Sequence, residues 1–266
     1  MSPVSFQIIS DNHLEAPKGY DIFTITPKAP YLALLGDIGV VLHKEELSSF
    51  LLSQLSHFKI VFFLPGNHEA YRADWESVAT FIDDVSELAR QKRHENPSLG
   101  LFVPLVRGRY DIDENTTVLG CTLFSNVPAA QMLEVGMRLN DFHVIRNWTV
   151  KEHNACHARD LAWLNEQVVL LENSGRKIAI FTHHSPTTDS RANDPQHAGS
   201  TISSGFRTDL SKEKCWTSES VKLWAFGHTH YNCDFADEHG KRVYTNQRGY
   251  AFAQAEGFDG KKTVTL

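Results

Sequence analysis

Five short clusters carry side chains able to hold cations: Asp11–Asn12–His13, Gly36–Asp37, Gly66–Asn67–His68–Glu69, Thr182–His183–His184 and Gly227–His228–Thr229–His230. Each follows an apolar run, in order FQIIS, YLALL, IVFFLP, KIAIF and KLWAF. Strands that end in carboxylates, an amide oxygen and imidazoles point to one site assembled at strand ends. Asp11, His13, Asp37, Asn67, His183, His228 and His230 are the candidate ligands. They are too many for one zinc ion and suit two metal ions.

The clusters differ in specificity. Asp11 and His13 alternate, so on an extended chain they face the same way. His228 and His230 repeat that spacing, with Gly227 allowing a sharp exit. Gly36–Asp37 taken alone is also a common turn. Asp37 stands out because it ends a strongly apolar run, where a lone charge is costly. Asn67 offers either an amide oxygen or a helix N-cap. His68 follows it directly and must point elsewhere, which frees it for acid or charge-stabilising work. The fixed order of all five argues for one site rather than five unrelated turns.

Two divalent cations against two carboxylates remain net positive even with a bridging hydroxide, and a phosphate dianion is the natural guest. Such a pair acidifies a shared water, orients the phosphoryl group and stabilises an in-line transition state. The sequence has no nucleophile elbow, no glycine-rich phosphate loop with lysine and no cysteine in an anion nest, so nothing suggests a covalent intermediate.

The positioning elements read as strand, loop, helix, repeated. Residues 44–58 place Leu47, Phe50, Leu51, Leu55 and Phe58 at helical spacing, and residues 73–94 do so with Trp75, Val78, Ile82, Val85 and Leu88. Residues 152–172 repeat the pattern with Leu161, Leu164, Val168 and Leu171. The alternation predicts a layered α/β fold. Segments 101–107, 117–124, 232–236 and 242–246 read as further strand-like pieces, several of them short and after turn signals, so a second, partly antiparallel sheet is expected. Residues 125–150 show few regular patterns. Residues 184–215 are polar, carry Pro186, Pro195, Gly199 and Gly205, and begin directly after His183. A loop that long is expected to be a substrate-facing lid; a mobile surface loop is the plainer alternative.

A length of 266 residues with 41% hydrophobic content suits one large core, or at most two small ones. The net charge of -6 supplies no general basic field, so nucleic acid is not an expected partner and a nuclease has no support. The N-terminus does not read as a signal peptide and no apolar run is long enough for a bilayer, so a cytoplasmic protein without a membrane partner is expected. Cys121, Cys156, Cys215 and Cys233 lack paired spacing and are expected to be free thiols.

In order and spacing the five clusters resemble the signature of the calcineurin-like metallophosphoesterase superfamily across residues 11–230. The resemblance implies one domain over residues 1–266, built as a four-layer α/β/β/α sandwich of two mixed β-sheets flanked by helices, with a dinuclear metal centre. It places Asp11, His13 and His230 on one metal and Asn67, His183 and His228 on the other, bridged by Asp37. His183 is taken over His184 because the family ligand is the first residue after the strand. His68 matches the family's catalytic histidine. TLFS at 122–125, NDF at 140–142 and NQRGY at 246–250 are similar to stretches of uncharacterised fungal members.

One departure from the family bears on substrate. Its phosphoprotein phosphatases carry a second Asp and an Arg soon after the Gly-Asp pair, whereas this chain runs GDIGVVL with Val40 in place of the Asp. Asp141 is then the expected carboxylate orienting His68, and Arg191 or Arg207 the expected phosphate clamp. The remaining histidines, His184 and His197 among them, are expected in solvent or hydrogen-bonded in the core. The expected activity is metal-dependent hydrolysis of a small phosphomonoester, phosphodiester or nucleotide by a metal-bridging hydroxide, with manganese, zinc or iron all suited to the ligand set. The alternatives are a non-catalytic metal-binding scaffold of the same fold and a Ser/Thr phosphoprotein phosphatase. Retention of all the ligands and His68 argues against the scaffold, and the missing Asp and Arg argue against the protein phosphatase.

Overall fold

The computed structural model describes residues 3–16 and 18–266. The apolar runs are strands, and their period-two pattern has apolar residues on both faces, as befits strands covered on both sides. In β2 (Tyr31–Leu35), Leu32 and Leu34 face one core while Ala33 and Leu35 face another. In β3 (Ile60–Leu64), Val61 and Phe63 are set against Ile60, Phe62 and Leu64 in the same way.

The first sheet contains β1 (Ser5–Ile9), β2, β3 and β4 (Leu101–Pro104) in parallel, with β13 (Thr263–Thr265) antiparallel at the edge beside β1. The second has β6 (Thr116–Cys121), β7 (Lys177–Thr182), β8 (Val221–Phe226) and β10 (Arg242–Thr245) in parallel, between antiparallel edges β5 (Gly108–Asp111) and β9 (Asp234–Ala236). A hairpin of β11 (Gly249–Tyr250) and β12 (Ala253–Gln254) follows.

The two sheets share a core in which Phe6, Phe62 and Phe181 pack edge-on or tilted. The outer face of the first sheet is covered by α2 (Lys44–Gln54) and α3 (Trp75–Glu95), and that of the second by α6 (Val150–Leu171) and α7 (Lys214–Thr217). The result is the four-layer α/β/β/α sandwich of two mixed sheets. Asp74 caps α3 by accepting from the Ser77 N–H at 2.8 Å, and Lys92, Arg93 and His94 complement the dipole at its far end. The buried face of α3 runs Val78, Phe81, Ile82, Val85 and Ala89; Leu88 is exposed.

Two irregular stretches differ from their reading in sequence. Residues 125–150 contain α4 (Met132–Arg138) and α5 (Asp141–Val144), too short to display a helical period. Residues 184–215 form three single 3-10 turns. Asp189 and Asp194 each cap one of them, accepting from the N–H of Arg191 at 2.9 Å and of Gln196 at 2.8 Å. The stretch is also laced back to its own start, since the Ser185 N–H reaches the Phe206 carbonyl at 3.2 Å and the Thr208 N–H reaches that of Ser185 at 3.0 Å. A helix α1 (Gly19–Ile22) completes the first layer near α2. The four cysteines are free thiols.

Parallel direction puts the C-terminal ends of β1, β2, β3, β7 and β8 on one edge of the sandwich. The five candidate clusters are the segments that leave those ends.

Candidate metal centre

The loops leaving the strands interlock through their backbones. The Asp11 N–H donates to the Gly36 carbonyl at 3.0 Å and the His13 N–H to that of Asp37 at 2.9 Å. On the second sheet the Gly227 N–H meets the His183 carbonyl at 2.9 Å. A Cβ on Gly36 would collide with Gly66 and the His183 ring, and one on Gly227 with the Asp11 carboxylate. Those glycines are needed because ligand-bearing loops touch there; at Gly227 the reason is this close approach rather than a sharp chain exit.

The backbone departs from the extended chain expected to make Asp11 and His13, and His228 and His230, face alike. These residues are not on extended chain. Asp11, His13, Asp37, His228 and His230 have φ of 53°, 48°, 52°, 70° and 49°. Left-handed conformations on non-glycine residues each cost roughly 1–3 kcal/mol and persist where surrounding structure over-determines them. Here the determinants are the inter-loop hydrogen bonds and the Asp11 carboxylate, which accepts the His228 N–H at 2.9 and 3.1 Å.

The seven candidate ligands converge. Asp11, His13 and His230 present ligand atoms within 4.8 Å of one another, as do Asp37, His183 and His228. Asn67 does not cap the following turn; its Oδ1 lies 3.0 Å from His183 Nε2, and its Nδ2 donates to Asp141 at 2.8 Å, which turns the amide oxygen into the site. His183 Nδ1 donates to the Leu35 carbonyl at 2.8 Å, which fixes the tautomer and aims Nε2 at Asp37, 3.4 Å away.

The donor set fits metal ions. His13 Nε2 and His230 Nε2 face each other at 3.0 Å, and the buried His228 Nε2 has no partner. Burial alone would raise the Asp37 carboxyl, yet His183, His68 and His13 hold it well below the usual carboxylate range. Burial likewise disfavours a charged His183, yet Asp37 pushes it up to about 10. Buried carboxylates that recruit protons onto imidazoles mark a place that demands positive charge, which cations supply.

His68 stands beside this set. Its Nδ1 meets Glu15 Oε1 at 2.9 Å, its ring stacks on Tyr71 with centroids 4.0 Å apart, and its Nε2 lies 3.4 Å from the Tyr250 hydroxyl. The orienting carboxylate is therefore Glu15. Asp141 is spent on Asn67 and the Tyr71 hydroxyl, the latter at 2.8 Å. The same Glu15 oxygen is 3.3 Å from His13 Nδ1, so one carboxylate steadies a candidate ligand and the histidine next to it. Bonds to these two histidines outweigh burial and bring the Glu15 carboxyl down to about 2. Glu15 was concealed in sequence because it sits beyond the motif, in the turn after the first loop. We expect Glu15→Gln to lower kcat by roughly 10–100-fold, the usual cost of losing a partner that orients a working group. Steady-state kinetics with metal content checked in parallel measures this, and an unchanged kcat would remove Glu15 from the machinery.

Other expectations are sorted by geometry. Arg191 is tied to Asp189 at 2.6 Å and lies over the Phe235 ring, outside the site, whereas Arg207 lines the pocket above it. His184 is fully buried with neither ring nitrogen hydrogen-bonded, packed 4.1 Å from the His228 ring centroid, so it is neither solvent-facing nor a bonded core histidine. Glu69 had no role in the sequence reading. Its carboxylate accepts the N–H groups of Asp37, Ile38 and Gly66 at 2.9, 2.8 and 2.7 Å, which clamps two ligand loops together. The NQRGY stretch gains a physical meaning. Gln247 accepts the His230 N–H at 2.5 Å, Arg248 donates to the Asn12 carbonyl at 2.9 Å, and Tyr250 stacks on His13 at 4.3 Å.

A pocket of about 390 Å³ opens over Asp37, Asn67, His68, His228 and His230. Its walls come from α4, α5, the 184–215 stretch and Tyr250.

Comparison with known proteins agrees with this geometry. A family model described as calcineurin-like phosphoesterase matches residues 5–232. An uncharacterised protein of Acanthamoeba polyphaga mimivirus is 29% identical over 234 residues, spanning 83% of this chain and 79% of that one. The crystal structure of a phosphopantetheinyl hydrolase from Mycobacterium tuberculosis superposes with a TM-score of 0.69 at 14% identity, covering 93% of this chain and 90% of that one. A dimetal phosphatase from Danio rerio does so with a TM-score of 0.57 at 14% identity, covering 92% and 87%. At such identities the structural likenesses speak to the fold.

Proposed function

From the premise that this chain belongs to the calcineurin-like phosphoesterase family, we propose that it hydrolyses a small phosphomonoester, phosphodiester or nucleotide at a centre of two metal ions. The observation that carries this reading is the convergence of two ligand groups, Asp11/His13/His230 and Asp37/His183/His228, under one pocket that also contains His68. Asp11, His13 and His230 would hold one ion, Asn67, His183 and His228 the other, and Asp37 both; bound there, the ions supply Lewis acidity and an acidified water.

The chain's own residues do the rest. Glu15 holds His68 by Nδ1, so a protonated His68 presents its Nε2 proton to the pocket, where it serves the leaving oxygen. Tyr250 and Tyr71 flank the imidazole and confine its orientation. Asp141 keeps the Asn67 amide from rotating. A volume of about 390 Å³ lies within the range of small-ligand sites, roughly 300–1,000 Å³. Walls from α4, α5 and the 184–215 stretch give the pocket depth for a small ester. The names of the two solved neighbours, a phosphopantetheinyl hydrolase and a dimetal phosphatase, support hydrolysis of phosphate esters at such a site.

The test is a panel of phosphomonoesters, phosphodiesters, nucleotides and phosphoserine peptides, offered to metal-stripped protein reloaded with manganese, zinc or iron. Turnover should depend on the added metal and favour small esters. A kcat/KM for phosphoserine peptides well above that for the small esters would overturn the substrate class. Metal-loaded protein inert to every ester would instead indicate a scaffold.

A further inference from the structure

The pocket is chemically uneven. Its lining includes four candidate ligands, Asp37, Asn67, His228 and His230, with His68, and also Arg138, Asn193, Asp194, Ser200, Ser203 and Arg207. Arg138 is paired with Glu134 at 2.8 Å, and Asp194 caps its own turn. Arg207 differs. Nη1 donates to Asn193 Oδ1, a neutral partner, and among the described residues no carboxylate lies within ion-pair distance of its guanidinium. A guanidinium offers five N–H donors, so most of its capacity is uncommitted. It is also partly buried, and a partly buried cation without a counter-ion is costly to the folded state.

Arg207 is not a loose side chain on a loose loop. The ring of Phe206 stacks on the His228 imidazole with centroids 5.0 Å apart. The Ser185–Phe206 and Thr208–Ser185 hydrogen bonds fix the backbone on both sides of Arg207 to the segment that carries His183. Asn193 is itself held, donating through Nδ2 to the Asp189 carbonyl at 2.6 Å. The cation is therefore preorganised over the pocket, on the His228 flank. His68 is held by a separate set of partners, Tyr71, Tyr250 and Glu15. With His68 and the candidate ligands engaged by the reacting phosphoryl group, Arg207, which has its own partners, is left for the remainder of the substrate.

We propose that Arg207 is a subsite for a second anionic group, so that the substrate of this centre is a small phosphoester carrying a further phosphate or carboxylate. The proposal rests on the phosphoesterase reading and deepens it. It also gives the 184–215 stretch a role, as the element that brings the recognition cation to the pocket.

The experiment uses the metal-loaded enzyme and matched pairs that differ by one anion. Fructose 1,6-bisphosphate against fructose 6-phosphate tests a second phosphate, and 3-phosphoglycerate against glycerol 3-phosphate tests a carboxylate. Wild type should prefer the doubly charged member of at least one pair. Arg207→Ala should cut that preference by roughly 10–100-fold, the worth of a charge-assisted hydrogen bond, mainly through KM. Arg207→Lys should recover part of it. Equal losses on both members would mean that Arg207 grips the reacting phosphoryl group, and no loss on either would make it structural; each result overturns the proposal. Calorimetric titration with the same pairs reads the preference as binding. Equal Kd values for both members of each pair would sink the subsite even in a protein that turns neither over. Turnover of no phosphoester at all would count against the phosphoesterase reading rather than the subsite.

Discussion

His68→Asn should lower kcat on an ester with a poor leaving group by roughly 10²–10⁴-fold, the usual worth of a positioned general acid, while both metal ions stay bound. The geometry separates the two effects. The His68 side chain belongs to neither ligand group of the centre, and its Nδ1 is occupied by Glu15. Its backbone N–H, which donates to Asp37 Oδ1 at 2.8 Å, survives the substitution and keeps the ligand loop in place. Without metal, the charge of Asp37 and the Glu15 hydrogen bond overcome burial and push the imidazole up to about 9; with ions on Asp37, the Glu15 contact is the one outside the proposed ligand set that favours a protonated ring. A nitrophenyl ester is a poor probe, because its leaving group hardly needs that proton. The comparison belongs on an alkyl phosphate, with elemental analysis of the variant alongside. His13, Glu15 and His68 also lie close enough together to hold an ion. Loss of a metal from His68→Asn would therefore show His68 to be a ligand, and wild-type turnover on the alkyl ester would remove it as the acid.

The candidate site was legible in sequence to the extent that it is written in residue types at strand ends. Runs such as IVFFL must be strands buried on both faces, and a carboxylate or imidazole placed directly after one has nowhere to go but the edge where parallel strands end. The long helices were legible for the same reason, since Leu47, Phe50 and Leu51, or Val78, Ile82 and Val85, repeat often enough to define a face. Three things escaped. The left-handed backbone at Asp11, His13, Asp37, His228 and His230 is imposed by hydrogen bonds between loops far apart in the chain, and no local propensity predicts it. Glu15 and Gln247 act through partners that only the tertiary fold supplies; the distance from Gln247 to His230 spans 17 residues, and that from Glu15 to His68 spans 53. Asp141 lies in the expected neighbourhood but meets Asn67 rather than His68, because sequence shows that a carboxylate is near and not which side chain it meets.

Asp37→Asn should strip the centre of both ions at metal concentrations that saturate the wild type, whereas His13→Ala should empty one site and leave the other. Asparagine keeps the shape of the side chain and an oxygen to accept the His68 N–H, so the interlocked loops have no reason to separate. What goes is the negative charge. That charge does most to raise His183 against its burial, and it also acts on Asp11, whose carboxyl it opposes. Metal-free Asp37→Asn is relieved of a repulsion with Asp11 but loses the attractions to His183, His68 and His13 that hold the Asp37 carboxyl down against burial, so it should be less stable than metal-free wild type at neutral pH. The bridging role is therefore read from the shift on adding metal, each protein against its own metal-free form. A ligand that binds only the folded state stabilises by about 2.7 kcal/mol at a hundredfold excess over its Kd. Thermal unfolding with and without manganese should thus show an upward shift for wild type, a smaller one for His13→Ala and almost none for Asp37→Asn. Elemental analysis should rank the three proteins in the same order. If Asp37→Asn kept the full shift and wild-type stoichiometry, Asp37 could not be the bridge, and the two ligand groups would have to be read as independent sites.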